Sequence, residues 1–139
     1  MSRRIVALLV LSFVLIAGNV PSVRAEEAPE TVPGAATVDA AKAKQLFDAG
    51  AAFIDPRKDA DWEAGRIPGA HHLELGKDFT KEKLEKIVKP TAPVVIYCNG
   101  VKCMVSPNAI KLAVEWGWKD IYFFRTGFPA WKAAGYPTE

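Results

Sequence analysis

Cysteine and histidine are scarce in this sequence, which holds two of each among 139 residues. The histidines are the neighbours His71 and His72, and adjacent residues of a strand point to opposite faces. They are too few, and too poorly spaced, for a typical zinc site, so we expect neither a metal nor a cofactor. Lysines are scattered among acidic residues, with a formal net charge of +2. A nucleic-acid-binding protein needs a concentrated basic face, so we expect no nucleic-acid partner.

Long apolar runs are also lacking, except for one near the amino terminus. It covers thirteen residues from Ile5 to Ala17, follows Arg3 and Arg4, and precedes Val23-Arg24-Ala25. Such a run is too short to cross a bilayer, which takes roughly 20 residues, and the order is typical of a secretory signal peptide. We predict a signal peptide at residues 1–25, cleaved after Ala25. An uncleaved anchor is the alternative.

Cleavage changes what the composition implies. The mature protein is expected to be periplasmic or secreted, with no stable membrane insertion. Loss of three arginines takes the formal net charge from +2 to −1. Residues 26–37 are mostly Pro, Ala, Gly, Glu and Thr, a composition with little to bury. We therefore predict a flexible leader at 26–37 and one folded domain at 38–139.

Strands and helices alternate along that domain. Apolar strands are predicted at 52–54, 94–97 and 121–124, and helices are predicted to begin at Asp39, Thr80, Ser106 and Phe128. Ser106 and Pro107 resemble a helix cap followed by a proline in the first helical position. This alternation indicates an α/β fold with a mostly parallel central sheet and helices on both faces.

The two cysteines flank one short loop, Asn99-Gly100-Val101-Lys102, and Cys98 directly follows the apolar strand 94–97. Open α/β sheets place ligand sites at the carboxyl ends of their strands. The loop and the start of the next helix can turn backbone N–H groups toward an anion, and these groups favour a reactive thiolate at Cys98. A small buried structural cysteine is the alternative. A bridge to Cys103 would close only a short loop, so the pair indicates chemistry more than stability.

Four segments resemble the rhodanese-like domains, and they occur in the family's order. They are Phe53 to Arg57, Trp62 to His71, Val94 to Cys103 and Gly127 to Trp131. The resemblance covers most of the chain after residue 38 and implies the rhodanese-like fold. It also implies that Cys98 is the catalytic nucleophile, which takes sulfane sulfur from a small sulfur-containing anion or a persulfide donor. The resulting persulfide passes its sulfur to a thiol acceptor, for which a periplasmic protein is one candidate.

The loop departs from the family pattern at its last position. The family usually closes this loop with an arginine and then a serine, whereas this chain has Cys103 and Met104. Lysine cannot replace the two-pronged grip of an arginine on an anion. Residues 99–103 remain the predicted substrate-binding loop, with Lys102 as a point charge. Arg125, which ends the neighbouring strand, is the candidate for a second anion-binding cation.

Asp55 and Arg57 are predicted to play a structural part. We expect them to form a buried hydrogen-bonded pair that ties the strand at 52–54 to the loop at 65–70. Neither residue is assigned to the sulfur chemistry.

Three functions stay open. The first is a sulfurtransferase with Cys98 as the persulfide carrier. The second is a periplasmic thiol–disulfide redox protein, in which Cys103 is the resolving thiol. The third is a non-catalytic module that binds an anion or a partner protein in the same loop.

Overall fold

The computed structural model describes Gly18 and residues 26–139. Apart from Gly18, the predicted signal peptide at 1–25 lies outside the described residues. Within the described ranges, no helix has the length and apolar character needed to cross a membrane.

The described chain contains five strands and five helices. The strands are β1 (Ala35–Thr37), β2 (Ala52–Asp55), β3 (His71–His72), β4 (Val94–Tyr97) and β5 (Ile121–Phe124). The helices are α1 (Ala40–Asp48), α2 (Asp59–Ala64), α3 (Lys81–Ile87), α4 (Val105–Glu115) and α5 (Gly127–Ala133).

All strands run parallel in one sheet of order β1-β5-β4-β2-β3. One apolar cluster includes Leu84 of α3 and Ile110 of α4, and a second includes Leu46 of α1 and Trp131 of α5. Side chains of β4 enter both clusters alternately, and all four of its residues are buried. The predicted α/β fold, with a parallel sheet and helices on both faces, is confirmed.

Local sequence signals account for where several helices begin. The side chain of Asp39 accepts a hydrogen bond from the backbone of Lys42 at the start of α1, and Thr80 does the same for Lys83 in α3. These caps satisfy N–H groups that have no partner within the helix.

The start of α4 differs from the prediction. The helix begins at Val105 after Met104, and Ser106 is buried within its first turn rather than capping it. Pro107 does not fix the starting residue, because N–H groups throughout the first turn lack an intrahelical partner and a proline there costs no hydrogen bond.

The predicted flexible leader at 26–37, with folding from residue 38, is corrected by the structure. Residues 35–37 form the edge strand β1, which pairs with β5. Ala28 and Val32 are 3% and 2% exposed and belong to the cluster on the α4 side of the sheet. Composition hid this packing, since an edge strand is stabilised by backbone hydrogen bonds that depend little on side-chain type.

Candidate active site

Cys98 occupies the middle of the carboxyl edge of the sheet. It follows β4, which lies between β2 and β5, and it is 1% exposed. Its carbonyl oxygen accepts a hydrogen bond of 2.9 Å from the N–H of Phe128. The start of α5 therefore fixes the backbone of the cysteine.

Gly127 allows this close approach of α5. Its φ is 60°, in the left-handed region, and a Cβ placed on it would collide with the backbone carbonyl of Cys98. Only glycine combines that backbone conformation with the absence of a side chain. The position of Cys98 thus depends on a glycine in another element.

Cys98 and Cys103 are joined by a disulfide bond, with their Cα atoms 6.3 Å apart. The sequence predicted a thiolate at Cys98, and the structure instead has its sulfur bonded, because the curled loop brings the two cysteines into bonding range. Cys103 is half-buried while Cys98 is almost fully buried. Of the two residues, Cys103 is therefore the more accessible to solvent.

The loop between the cysteines folds back on itself. Gly100 has a φ of 119°, and its carbonyl oxygen accepts a hydrogen bond of 3.0 Å from the N–H of Cys103. The carbonyl of Val101 accepts a hydrogen bond of 2.6 Å from the N–H of Ala28. Lys102 is exposed. Residues near the amino terminus of the domain thus contact the middle of the loop.

A shallow cleft of about 530 Å³ lies between this loop and α5. It is lined by residues 99–102 and by Thr126, Pro129, Ala130 and Ala133. Lys102 is the charged member of that lining. The cleft is therefore bordered by the loop that joins the two cysteines, although neither cysteine is part of its lining.

Arg57 links three parts of the carboxyl edge. Two of its guanidinium nitrogens donate to the carboxylate of Asp55, the shortest contact being 2.7 Å from Nη2. The same Nη2 donates to the carbonyl of Gly65 at 2.7 Å, and Nη1 donates to Oδ1 of Asn99 at 2.8 Å. The first two contacts are those predicted from the sequence. The contact with Asn99 was not foreseen, and it carries the anchoring into the loop after Cys98.

Tyr97 completes this buried network. Its hydroxyl donates to Oδ2 of Asp55 at 2.8 Å and accepts from the N–H of Ile67 at 3.2 Å. Burial raises the pKa of the Tyr97 phenol far above its ordinary value, and the charge of Asp55 adds to this shift. Tyr97 was not among the predicted site residues, although a tyrosine in a buried strand needs a partner for its hydroxyl.

Asp55 stabilises the charged form of Arg57. Burial alone lowers the pKa of the guanidinium, but the hydrogen bonds and charge of Asp55 outweigh it, and the pKa of Arg57 is raised. The guanidinium therefore stays ionised. In that state the guanidinium holds Asn99 through a charge-assisted hydrogen bond.

Arg125 was predicted to be an anion-binding cation, but its guanidinium bonds to backbone carbonyls of the protein. Its Nη2 donates to the carbonyl of Ala28 at 2.7 Å and its Nε donates to that of Pro29 at 3.0 Å. The carboxylate of Glu27 lies 3.6 Å from the guanidinium. The expected anion-binding role of Arg125 is corrected to the fastening of residues 27–29, whose packing the sequence did not reveal.

The neighbouring histidines sit beside the network rather than in the cleft. His72 stacks on Trp62, with ring centroids 4.8 Å apart, and its Nε2 lies 2.7 Å from the carbonyl oxygen of Arg57. In the part of the chain that the structure describes, no group of three or more His, Cys, Asp or Glu residues could hold a metal ion.

Fold and site together define an α/β domain whose candidate active site is a cysteine at the end of the central parallel strand. The profile of the rhodanese-like domain matches residues 39–134. The chain therefore belongs to the rhodanese-like domain family.

Relatives of this chain include more than one class of protein. The chain is 29% identical over 97 residues to the thiosulfate sulfurtransferase GlpE of Pseudomonas fluorescens, covering 70% of this chain and 84% of that one. It is 27% identical over 89 residues to an HTH-type transcriptional regulator of Mycobacterium tuberculosis, with 63% of this chain matched. It spans only 37% of that regulator's length.

A solved structure shows the same fold at lower identity. The polysulfide-sulfur transferase homodimer of Wolinella succinogenes superposes with a TM-score of 0.62 and 23% identity. The superposition covers 76% of this chain and 79% of that one. This likeness concerns the fold alone.

The close approach of α5 to Cys98 predicts the effect of Gly127→Ala. Gly135→Ala is the matched control, because Gly135 has a φ of 77° and a Cβ placed on it would meet nothing within 4 Å. The control bears only the cost of the left-handed backbone, about 1–2 kcal/mol. Gly127→Ala should lower the free energy of unfolding by about 1–3 kcal/mol more than the control does, since its Cβ must displace the Cys98 carbonyl. Urea unfolding measures both, and equal losses would contradict this packing.

The network predicts that Tyr97→Phe is destabilising. The change leaves a buried carboxylate and a buried N–H each short of one hydrogen bond, at a cost of about 1–3 kcal/mol in the free energy of unfolding. Tyr136→Phe is the control, because Tyr136 is half-buried and packs on Trp131 through its ring. It should change stability by less than about 0.5 kcal/mol. If both variants change the free energy of unfolding by a similarly small amount, the hydroxyl of Tyr97 does not stabilise the fold as a donor.

The native protein and Tyr97→Phe together test the raised pKa of Tyr97. Folding holds this phenol protonated, whereas the unfolded chain loses the proton near the ordinary value of about 10. Stability of the native protein therefore falls above that pH, and Tyr97→Phe lacks this part of the loss. The stability gap between the two should narrow by up to about 1.4 kcal/mol per pH unit. A constant gap between about pH 9 and 11, on either side of that ordinary value, would contradict the shift.

Proposed function

We propose that this protein is a sulfurtransferase in which Cys98 carries sulfane sulfur as a persulfide. The observation that best supports this is the position of Cys98, at the carboxyl end of the central strand of a rhodanese-like domain. The name of the GlpE relative, a thiosulfate sulfurtransferase, agrees with it. The donor is a small sulfur-containing anion or a persulfide, and the acceptor is a thiol of a small molecule or a protein. Export to the periplasm or beyond remains part of this proposal.

The chemistry begins once the bridge to Cys103 is reduced. With thiosulfate, the Cys98 thiolate attacks the sulfane sulfur, the sulfur–sulfur bond of the donor breaks, and sulfite leaves with the electron pair. A thiolate acceptor then takes the outer sulfur and returns Cys98 to the thiolate. The start of α4, eleven residues long, lies just beyond the loop, and its positive end favours both the anion and the thiolate.

Lys102 is the cation that the cleft offers to an incoming anion. Arg57 and Arg125 both have hydrogen-bonding partners in the protein. The grip on a small anion therefore rests on a point charge and backbone dipoles. This arrangement disfavours thiosulfate, a small oxyanion that an arginine would bind through two hydrogen bonds, and so favours persulfide donors.

Thiol–disulfide exchange is the second candidate function, and the bridge between Cys98 and Cys103 favours it. The protein would then accept electrons from an external dithiol at the more exposed Cys103. No sulfur atom would be gained in that cycle. The two candidates differ in whether Cys98 ever bears an extra sulfur.

Intact mass distinguishes them. The reduced and desalted protein is exposed in turn to thiosulfate, glutathione persulfide and a mild oxidant. We expect the Cys103→Ser variant to gain the mass of one sulfur atom, mapped to Cys98, and the Cys98→Ser variant to gain none. The expected order of reactivity is glutathione persulfide before thiosulfate, because the described residues that line the cleft include no arginine to grip the smaller anion.

Two outcomes would contradict the proposal. Loss of two hydrogens by the native protein with the oxidant, without sulfur gain by Cys103→Ser from either donor, would favour the redox function. An unchanged mass under all three conditions would favour a module that binds an anion or a partner protein without chemistry.

A further inference from the structure

We propose that Cys103 resolves the Cys98 persulfide, so that the protein converts sulfane sulfur to free hydrosulfide while oxidising a dithiol. This inference rests on the proposed function and deepens it. It names hydrosulfide as a product, and it assigns Cys103 the role of the group that expels it.

The bridge supplies the geometric argument. The folded loop lets the sulfur of Cys103 reach the sulfur of Cys98 to bonding distance, with the Cα atoms 6.3 Å apart. Attack on a Cys98 persulfide needs the same approach, since the atom attacked is the same Cys98 sulfur. The structure therefore has the geometry of the product of that attack.

The two cysteines are held very differently. The backbone of Cys98 is fixed by the hydrogen bond from Phe128, and the residue is 1% exposed. Cys103 is half-buried at the end of a loop, and its N–H bonds within that loop, to the carbonyl of Gly100. Intramolecular resolution requires a sulfur carrier in a fixed position and a second thiol on a neighbouring loop. Cys98 and Cys103 meet these two requirements.

The resolving step balances in atoms and electrons. The Cys103 thiolate attacks the Cys98 sulfur, a Cys98–Cys103 sulfur–sulfur bond forms, and the bond to the outer sulfur breaks. The outer sulfur leaves as hydrosulfide with the bonding electron pair and the persulfide proton. The two cysteines together supply the two electrons that reduce the sulfane sulfur.

An external dithiol then restores the protein. One of its thiolates attacks the Cys103 sulfur, which is the more accessible end of the bridge, and the electron pair returns to Cys98. The second thiolate of the dithiol then attacks the first sulfur of the same dithiol, which releases Cys103 as a thiolate. The dithiol leaves as a disulfide. Each cycle therefore consumes one dithiol and one sulfane sulfur and yields one hydrosulfide.

A neighbouring thiol also explains how this route competes with transfer to an external acceptor. A group held beside its target acts at an effective concentration far above that of a thiol in solution. Resolution should therefore outrun transfer unless the acceptor is itself bound at the cleft.

A single-turnover experiment tests the inference on the chain without its predicted signal peptide, folded and reduced, then freed of reductant. The protein is mixed with glutathione persulfide or thiosulfate under anaerobic conditions. Hydrosulfide is trapped with a bimane reagent while intact mass is followed. The native protein should release about one hydrosulfide per chain and end with both cysteines bridged.

The Cys103→Ser variant is the matched control. It should hold the persulfide and release hydrosulfide at least about tenfold more slowly, because only external thiols can then attack it. Far-UV circular dichroism of both proteins checks that the variant is folded. Excess dithiol should make hydrosulfide release by the native protein catalytic, and release by the variant should be slower, because the dithiol must then attack the Cys98 persulfide itself.

The failures are distinguishable. If the native protein accumulates a persulfide while Cys103 remains open to alkylation, and no hydrosulfide appears, resolution is overturned and sulfur transfer stands. If the extra sulfur is found on Cys103, the chain relays sulfur outward instead, and the inference is also wrong. If neither protein gains sulfur from either donor, the proposed function itself fails.

Discussion

The carboxyl edge of the sheet depends on one buried guanidinium. Arg57 is paired with Asp55 at the end of β2, and it reaches Gly65 in one direction and Asn99 in the other. A buried pair of this kind is costly to break, about 3–5 kcal/mol when one partner is removed, because the remaining charge stays buried alone. The loop that follows Cys98 is therefore anchored at its first residue by the same interaction that organises the neighbouring strand.

The other end of the loop has no comparable ion-pair anchor among the residues that the structure describes. Val101 is touched by Ala28, and Arg125 holds the backbone of that alanine. Residues that the composition suggested to be a loose leader thus press on the loop between the two cysteines. Cys98 is therefore buried and bonded to another element, whereas Cys103 is half-buried and its N–H bonds within its own loop, and both proposed reactions draw on that difference.

Much of the architecture could be predicted because the signals were local or periodic. Continuous apolar runs indicated the buried strands β4 and β5, and cap residues indicated where α1 and α3 begin. Long-range contacts carry no such signal. Three contacts join segments that are far apart in the chain: the packing of Ala28, the hydrogen bonds from Arg125 to residues 28 and 29, and the hydrogen bond from Arg57 to Asn99. The backbone pairing of β1 also leaves little trace in side-chain composition. Whether Cys98 and Cys103 form a bridge depends on how tightly the short loop between them curls. Their spacing in the sequence did not determine this.

Cys98, held at the end of the central strand, is the residue that we propose receives sulfur. A crystal structure of the reduced Cys103→Ser variant after exposure to glutathione persulfide tests this proposal most directly, since the resolving thiol is absent and the product is retained. We expect one additional sulfur atom on Sγ of Cys98, directed toward the cleft, with Asn99 still bonded to Arg57. An unmodified Cys98 after an exposure that consumes the donor, or extra sulfur elsewhere in the chain, would contradict the account.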